Sequence, residues 1–110
     1  MGNLFTENTP AAHGYHMPAE WERHAATWLS WPRREGISFP GAYDEVIPIF
    51  VQIVNALRES EPVKINVSDA EQEQEVRFLL NEIDASHVEY LRIPTNEPWC
   101  RDHGPILLKR

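Results

Sequence analysis

Residues 96–105 read NEPWCRDHGP and crowd Glu97, Trp99, Cys100, Arg101, Asp102 and His103 between two prolines and a glycine. A carboxylate such as Asp102 accepts two parallel N–H donors from a planar guanidinium. An indole beside it supplies an apolar wall and a cation–π face. Asp102 and Trp99 are therefore the candidate binding residues for a cationic guanidinium or amine. Gly104 lets the backbone come close, and the prolines stiffen the loop. The competing reading pairs Arg101 and Asp102 with other charged partners so that they merely hold the loop, with Trp99 a core anchor. Cys100 with His103 has the residue types of a nucleophile and its base. In an extended segment, however, side chains an odd number apart face opposite sides, so Cys100 reads better as a small filler.

The second informative stretch is Met17–Pro32, MPAEWERHAATWLSWP, which holds three of the four tryptophans. Aromatics at this density usually serve a core or an interface. The functional alternative is that the end of this strand and its following loop line the same pocket as Trp99. His13 and His16 form an HxxH pair, with His24 further on, but zinc asks for four ligands from ordered elements, so a metal site is a weak reading. His87 precedes a strand and reads as a surface residue. There is no Gly-rich phosphate loop, nucleotide fingerprint or serine-hydrolase elbow.

The elements that must position these residues follow from periodicity. Residues 1–16 are polar and aperiodic and read as a flexible N-terminal arm. Thr27–Trp31 is a short aromatic strand stopped by Pro32, and residues 33–42 form a loop. From 43 to 59 apolar residues recur at helical spacing, with Pro48 expected in the first turn, where a missing N–H costs little. Val63–Val67 alternates as a half-buried strand. Ser68 and Glu71 have the spacing of a capping box opening a second helix. Its early glutamates suit the helix dipole, and Val76, Leu79, Leu80 and Ile83 supply the buried stripe. Val88–Ile93 is a third strand, 94–104 a loop, and Pro105–Lys109 the start of a fourth strand. The order β-α-β-α-β-loop-β points to an α/β domain. A strand ending where the sequence ends, directly after the most polar loop, suggests a truncation at Arg110.

With 110 residues, 42% of them hydrophobic and 25% charged, the chain suits one domain with a core. A net charge of −7 argues against a nucleic-acid partner and is compatible with a cationic small molecule. A single cysteine excludes an internal disulfide and makes a reducing, cytoplasmic setting the default. No apolar run is long enough to span a membrane. The opening residues fit the loose N-myristoylation pattern, a six-residue match that carries little weight.

MPAEWERHAATWLSWP followed downstream by IPTNEPWCRDHGPI resembles the agmatine deiminase family, which includes the Porphyromonas-type peptidyl-arginine deiminases. The first stretch is similar to a signature of the form M-P-x-E-W-x-x-H-x-x-T-x-x-x-W-P, the second to N-D-x-W-x-R-D-x-G-P. The resemblance covers about residues 15–110. Glu97 stands where the family commonly has aspartate, and no role is carried onto it.

The resemblance implies a five-bladed α/β propeller (pentein-like), with 17–110 as its N-terminal part. It implies cofactor- and metal-free hydrolysis of a guanidinium to a ureido group through a cysteine thiouronium, agmatine giving N-carbamoylputrescine and ammonia in polyamine synthesis. By motif position Asp102 matches an acidic clamp and Trp99 the nearby aromatic. Neither the family's C-terminal nucleophilic cysteine motif nor the H-x-D motif from the middle of its members is present, so the chain is expected to be inactive alone. The partner expected is a small guanidinium substrate, with room left for a homo-oligomer. The alternatives are a peptidyl-arginine deiminase or a non-catalytic guanidinium- or partner-binding module.

Overall fold

The computed structural model describes residues 7–81 and 85–110. They fall into two compact units, His24–His103 and a second made of the residues up to Arg23 with Gly104–Arg110.

The larger unit is built on a three-stranded parallel sheet of order β1-β2-β3, with β1 Thr27–Ser30, β2 Val63–Val67 and β3 Val88–Arg92. Helix α1, Tyr43–Leu57, connects β1 to β2, and α2, Ala70–Leu80, lies between β2 and β3. Leu29 stands opposite Ile65, and Ile65 opposite Tyr90. Because side chains alternate along a strand, Val63, Ile65 and Val67 share one face. That face joins Ile47 and Val54 of α1, Val76 and Leu80 of α2, and Trp31 in a single core. Val54, Val63, Ile65 and Val76 are fully buried, and each contributes roughly 1.5–3 kcal/mol relative to exposure.

The opposite face is polar. Lys64 lies 5.2 Å from the Trp28 ring centroid and 3.4 Å from Glu89. One row further toward the carboxyl ends come Ser30 and Asn66, paired in register and both buried.

Several local expectations are corrected. Pro48 lies in the second turn of α1, not the first. It therefore withholds an N–H from the turn before it, and packing of the apolar stripe outweighs that loss. The cap of α2 is shifted by one residue. Asp69 is the N-cap, and its Oδ1 accepts the Gln72 N–H at 2.9 Å, while Gln72 Oε1 accepts the Ser68 N–H at 2.7 Å. Aspartate outcompetes serine here because its carboxylate also meets the positive end of the helix dipole. Asn81 closes α2 at φ 47°, a left-handed position asparagine tolerates. Ile83 of the expected stripe lies outside the described residues.

The smaller unit carries a 3-10 turn at Ala11–His13, within the stretch read as an arm; residues 1–6 lie outside the described residues. The expected fourth strand at 105–109 does not form. The segment makes one antiparallel bridge, His16 with Lys109, through N–H···O bonds of 2.8 and 2.9 Å. Pro105 has no N–H to offer, and a single bridge does not make a ladder. Trp21 in this unit is 90% exposed, whereas Trp31 of the other is core, so the aromatic motif divides between surface and interior.

Candidate active-site loop

All three parallel strands end at the same edge of the sheet, and the loops that follow them are 31–42, 68–69 and 93–103. Open α/β sheets present ligands at this carboxyl edge. The candidate residues therefore stand on the loop after β3, at the end where such folds do chemistry.

That loop is not extended. Cys100–His103 forms one helical turn, α3. The Asp102 and His103 N–H groups both bond to the Trp99 carbonyl, at 3.0 and 3.4 Å. Positions three and four apart on a helical turn are neighbours. Trp99, Asp102 and His103 therefore share one side, which corrects the alternation expected from an extended segment. Tight turns of this kind escape a periodicity reading because four residues complete no repeat.

Asp102 is exposed, and among the described residues its carboxylate has neither a hydrogen bond nor an ion pair. It is not bonded to Arg101. Trp99 is half-exposed and braced from the β1–α1 loop: its indole N–H donates to Ser38 Oγ at 2.8 Å. The Ser38 hydroxyl in turn donates to the Glu97 carboxylate. The Phe39 ring lies against Trp99, with centroids 5.6 Å apart and planes tilted by 57°. Gly36 passes so close to Arg33 that a Cβ would stand 3.0 Å from the Arg33 carbonyl oxygen and 3.5 Å from that of Asn96. A side chain at 36 would crowd the Arg33 carbonyl of its own turn while meeting Asn96 only at ordinary contact distance. The loop after β1 thus meets Trp99.

His103 Nε2 lies 3.0 Å from the Glu97 carbonyl oxygen. A carbonyl only accepts, so Nε2 carries the proton in that contact and the neutral ring keeps its lone pair on Nδ1. Pro94, Thr95, Asn96, Glu97 and His103 line a cleft of about 350 Å³, ample for a small cation. Asp102 is not among the residues lining it. Cys100 points the other way: its Sγ is 3.2 Å from Ser30 Oγ, on the sheet.

A second cavity of about 370 Å³ opens beside the start of α2, with Arg33, Tyr43, Asp69 and Glu75 among its walls. Burial, reinforced by Glu75, pushes the Tyr43 hydroxyl above the usual tyrosine range. Arg34 bonds to Asp44 at 3.0 Å and lies over the Tyr43 ring, 4.4 Å from its centroid.

The histidines whose contacts are seen serve local ties. His24 Nδ1 is 3.0 Å from Glu61, which also accepts the Thr27 hydroxyl at 3.0 Å, so these two motif residues tie the start of β1 to the residue before Pro62. His16 is engaged through its backbone, and exposed His87 contacts the Arg58 carbonyl oxygen at 2.7 Å. Among the described residues no three His, Cys, Asp or Glu are gathered to hold a metal ion. None of the described helices is long and apolar enough to cross a membrane.

Ser38, Phe39, Ser30 and Asn66 were not legible as site residues. The alternation of VKINV placed Asn66 toward solvent, and nothing in RREGISFPGA marks Ser38.

Known proteins resemble this chain in sequence and in fold. The chain is 36% identical over 107 residues to agmatine deiminase of Medicago truncatula, covering 97% of this chain and 27% of that one. It is 34% identical over 100 residues to agmatine deiminase of Ectopseudomonas mendocina (strain ymp), covering 91% and 26%. The chain thus spans about a quarter of the length of the curated relatives it matches. Its fold matches that of C. jejuni agmatine deiminase with a TM-score of 0.71, at 20% identity, over 86% of this chain and 27% of that structure. The model of the Porphyromonas-type peptidyl-arginine deiminases matches residues 16–110, and the chain belongs to that family.

Proposed function

We propose that this chain is the N-terminal part of a guanidinium-hydrolysing deiminase whose substrate is agmatine, and that it supplies one wall of the substrate site. The observation that carries the reading is the α3 turn. It sets an unpaired carboxylate, Asp102, on the same side as a braced indole, Trp99. A flat cation meets a two-oxygen acceptor and an aromatic face there, the pairing that guanidinium recognition requires. The names of the relatives support agmatine as the cation.

In the proposed reaction a cysteine thiolate from outside these 110 residues attacks the guanidinium carbon and ammonia leaves. Water then attacks the thiouronium, the sulfur departs, and the ureido product N-carbamoylputrescine is released. Asp102 contributes by gripping the guanidinium nitrogens and fixing the carbon for attack. Cys100 is not assigned as that nucleophile; its sulfur lies 3.2 Å from Ser30 Oγ on the sheet, which supports a packing role instead. The single cysteine present fits a reducing, cytoplasmic enzyme of putrescine synthesis, and the arrangement of five α/β blades is proposed for the whole protein.

The test is ammonia release from agmatine by the full-length protein and by residues 1–110 alone. Turnover is expected from the first and not from the second. Clear turnover by the 110 residues alone overturns the assignment of the nucleophile. A second reading, hydrolysis of arginine within peptides, is favoured by the family's own description. An arginine-containing peptide consumed faster than agmatine would establish it.

A further inference from the structure

We infer that Ser30 and Asn66 are positioning residues, a buried hydroxyl and amide that hold the Cys100–His103 turn, and through it Asp102, over the carboxyl edge of the sheet. The inference rests on the Asp102 reading above and names what fixes that carboxylate in place.

The turn's backbone alone does not fix its place on the sheet. Its backbone bonds run to Pro98 and Trp99, within the same loop. Such bonds shape the turn but do not locate it. Arg101, Asp102 and His103 are exposed, and Cys100 is the one residue of the four that is partly buried. Its sulfur lands on Ser30 Oγ at 3.2 Å.

Ser30 is 0% exposed and Asn66 8% exposed. They are the only buried polar side chains among the described residues of the core. They stand opposite each other in the β1–β2 register, on the face away from the helices. The Asn66 Nδ2–H donates to Ser30 Oγ at 3.1 Å. The Asn66 carbonyl accepts the Trp31 N–H at 3.0 Å, locking the strands together just there.

With one lone pair of Ser30 taken by the amide, its own proton is available to the sulfur, or a second lone pair to the S–H. Either way a series of contacts runs from the central strand to the turn. Asn66 Oδ1 is buried with no partner among the described residues. Burying that oxygen costs stability that an alanine or valine pair would avoid. Orientation is what the polar pair gains: a hydrogen-bonded contact has a direction, whereas an apolar contact permits sliding.

The experiment measures agmatine turnover by the full-length protein carrying Ser30→Ala, Cys100→Ala, Cys100→Ser or the double Ser30→Ala/Cys100→Ala change, with thermal unfolding in parallel. Ser30→Ala and Cys100→Ala are expected to raise KM about 5- to 10-fold, the effect of losing one hydrogen-bonded contact, with near-wild-type melting. Cys100→Ser, which keeps a hydroxyl for the contact, should remain within about twofold of wild type. The double variant should be no worse than the poorer single one, because both cut the same link. Wild-type KM in Ser30→Ala overturns the inference, as does Cys100→Ser falling as far as Cys100→Ala. Should Ser30→Ala fail to fold, the Cys100 pair decides alone. Asp102→Asn is run alongside: wild-type activity in that variant overturns the site reading itself. Lost activity there with Ser30→Ala unaffected overturns only the positioning role.

Discussion

Replacing Asp102 by asparagine separates binding from scaffolding more cleanly than any other change in this protein. The side chains are nearly isosteric, so only charge and one acceptor oxygen are altered. The Asp102 carboxylate is exposed and has no partner among the described residues. Removing its charge should therefore shift stability by no more than about 0.5 kcal/mol, and the melting temperature of the full-length protein by no more than about 2 °C. With a guanidinium bound, the same change breaks a charged, two-point contact, a loss of roughly 2–5 kcal/mol. At about 1.36 kcal/mol per decade this is a fall in kcat/KM of about 30- to 5000-fold. Ammonia release from agmatine by the full-length protein reads the effect directly. Asp102→Glu keeps the charge but moves the carboxylate by about a bond length, and misplacement on that scale costs on the order of 100-fold. The opposite pattern, a variant that melts several degrees early yet turns over substrate normally, would show that Asp102 holds the loop and touches no substrate.

Three further outcomes test other parts of the structure. Ser38→Ala removes the hydroxyl shared by Trp99 and Glu97. It should raise KM by about 5-fold, as for one lost hydrogen bond, and shift tryptophan emission to the red; unchanged kinetics and emission would refute the brace. Ile65→Ala deletes a fully buried side chain of the central strand and should cost about 2–5 kcal/mol in a denaturant titration. A loss under about 1 kcal/mol would contradict the core described here. Glu73 bonds to Arg92 at 2.8 Å and Arg77 at 3.0 Å, and these guanidiniums, Arg92 foremost, hold its carboxyl below the usual range. Its contribution is complete above the unfolded carboxylate pKa of about 4.3 and is lost as pH falls through the lower folded value. Glu73→Gln should therefore flatten the fall of stability as pH drops below about 5. An unchanged slope would mean that the pairs are solvated surface contacts.

Elements whose cause is local were legible from residue order. Apolar spacing marked α1 and α2, and alternation marked Val63–Val67 with its observed bounds. Pro32 marked the close of the first strand, which proline cannot extend. Trp99 and Asp102 stood out as candidate residues because few roles bring a carboxylate and an indole together in one short loop.

Which groups meet depended instead on packing in three dimensions. No periodicity tells that Ser38, 61 residues before Trp99, receives its indole N–H, or that Ser30 and Cys100 touch across 70 residues. Burial of Ser30 and Asn66 runs against their polarity, and residue order gives no sign of the Cys100 sulfur that lands on Ser30. The fourth strand failed for the same reason. A strand is a property of the partner beside it, and at 105–109 a single bridge to His16 is all the partner the described residues provide. Local propensity sets what a segment prefers, whereas contacts between distant segments are settled by how the packed layers fit.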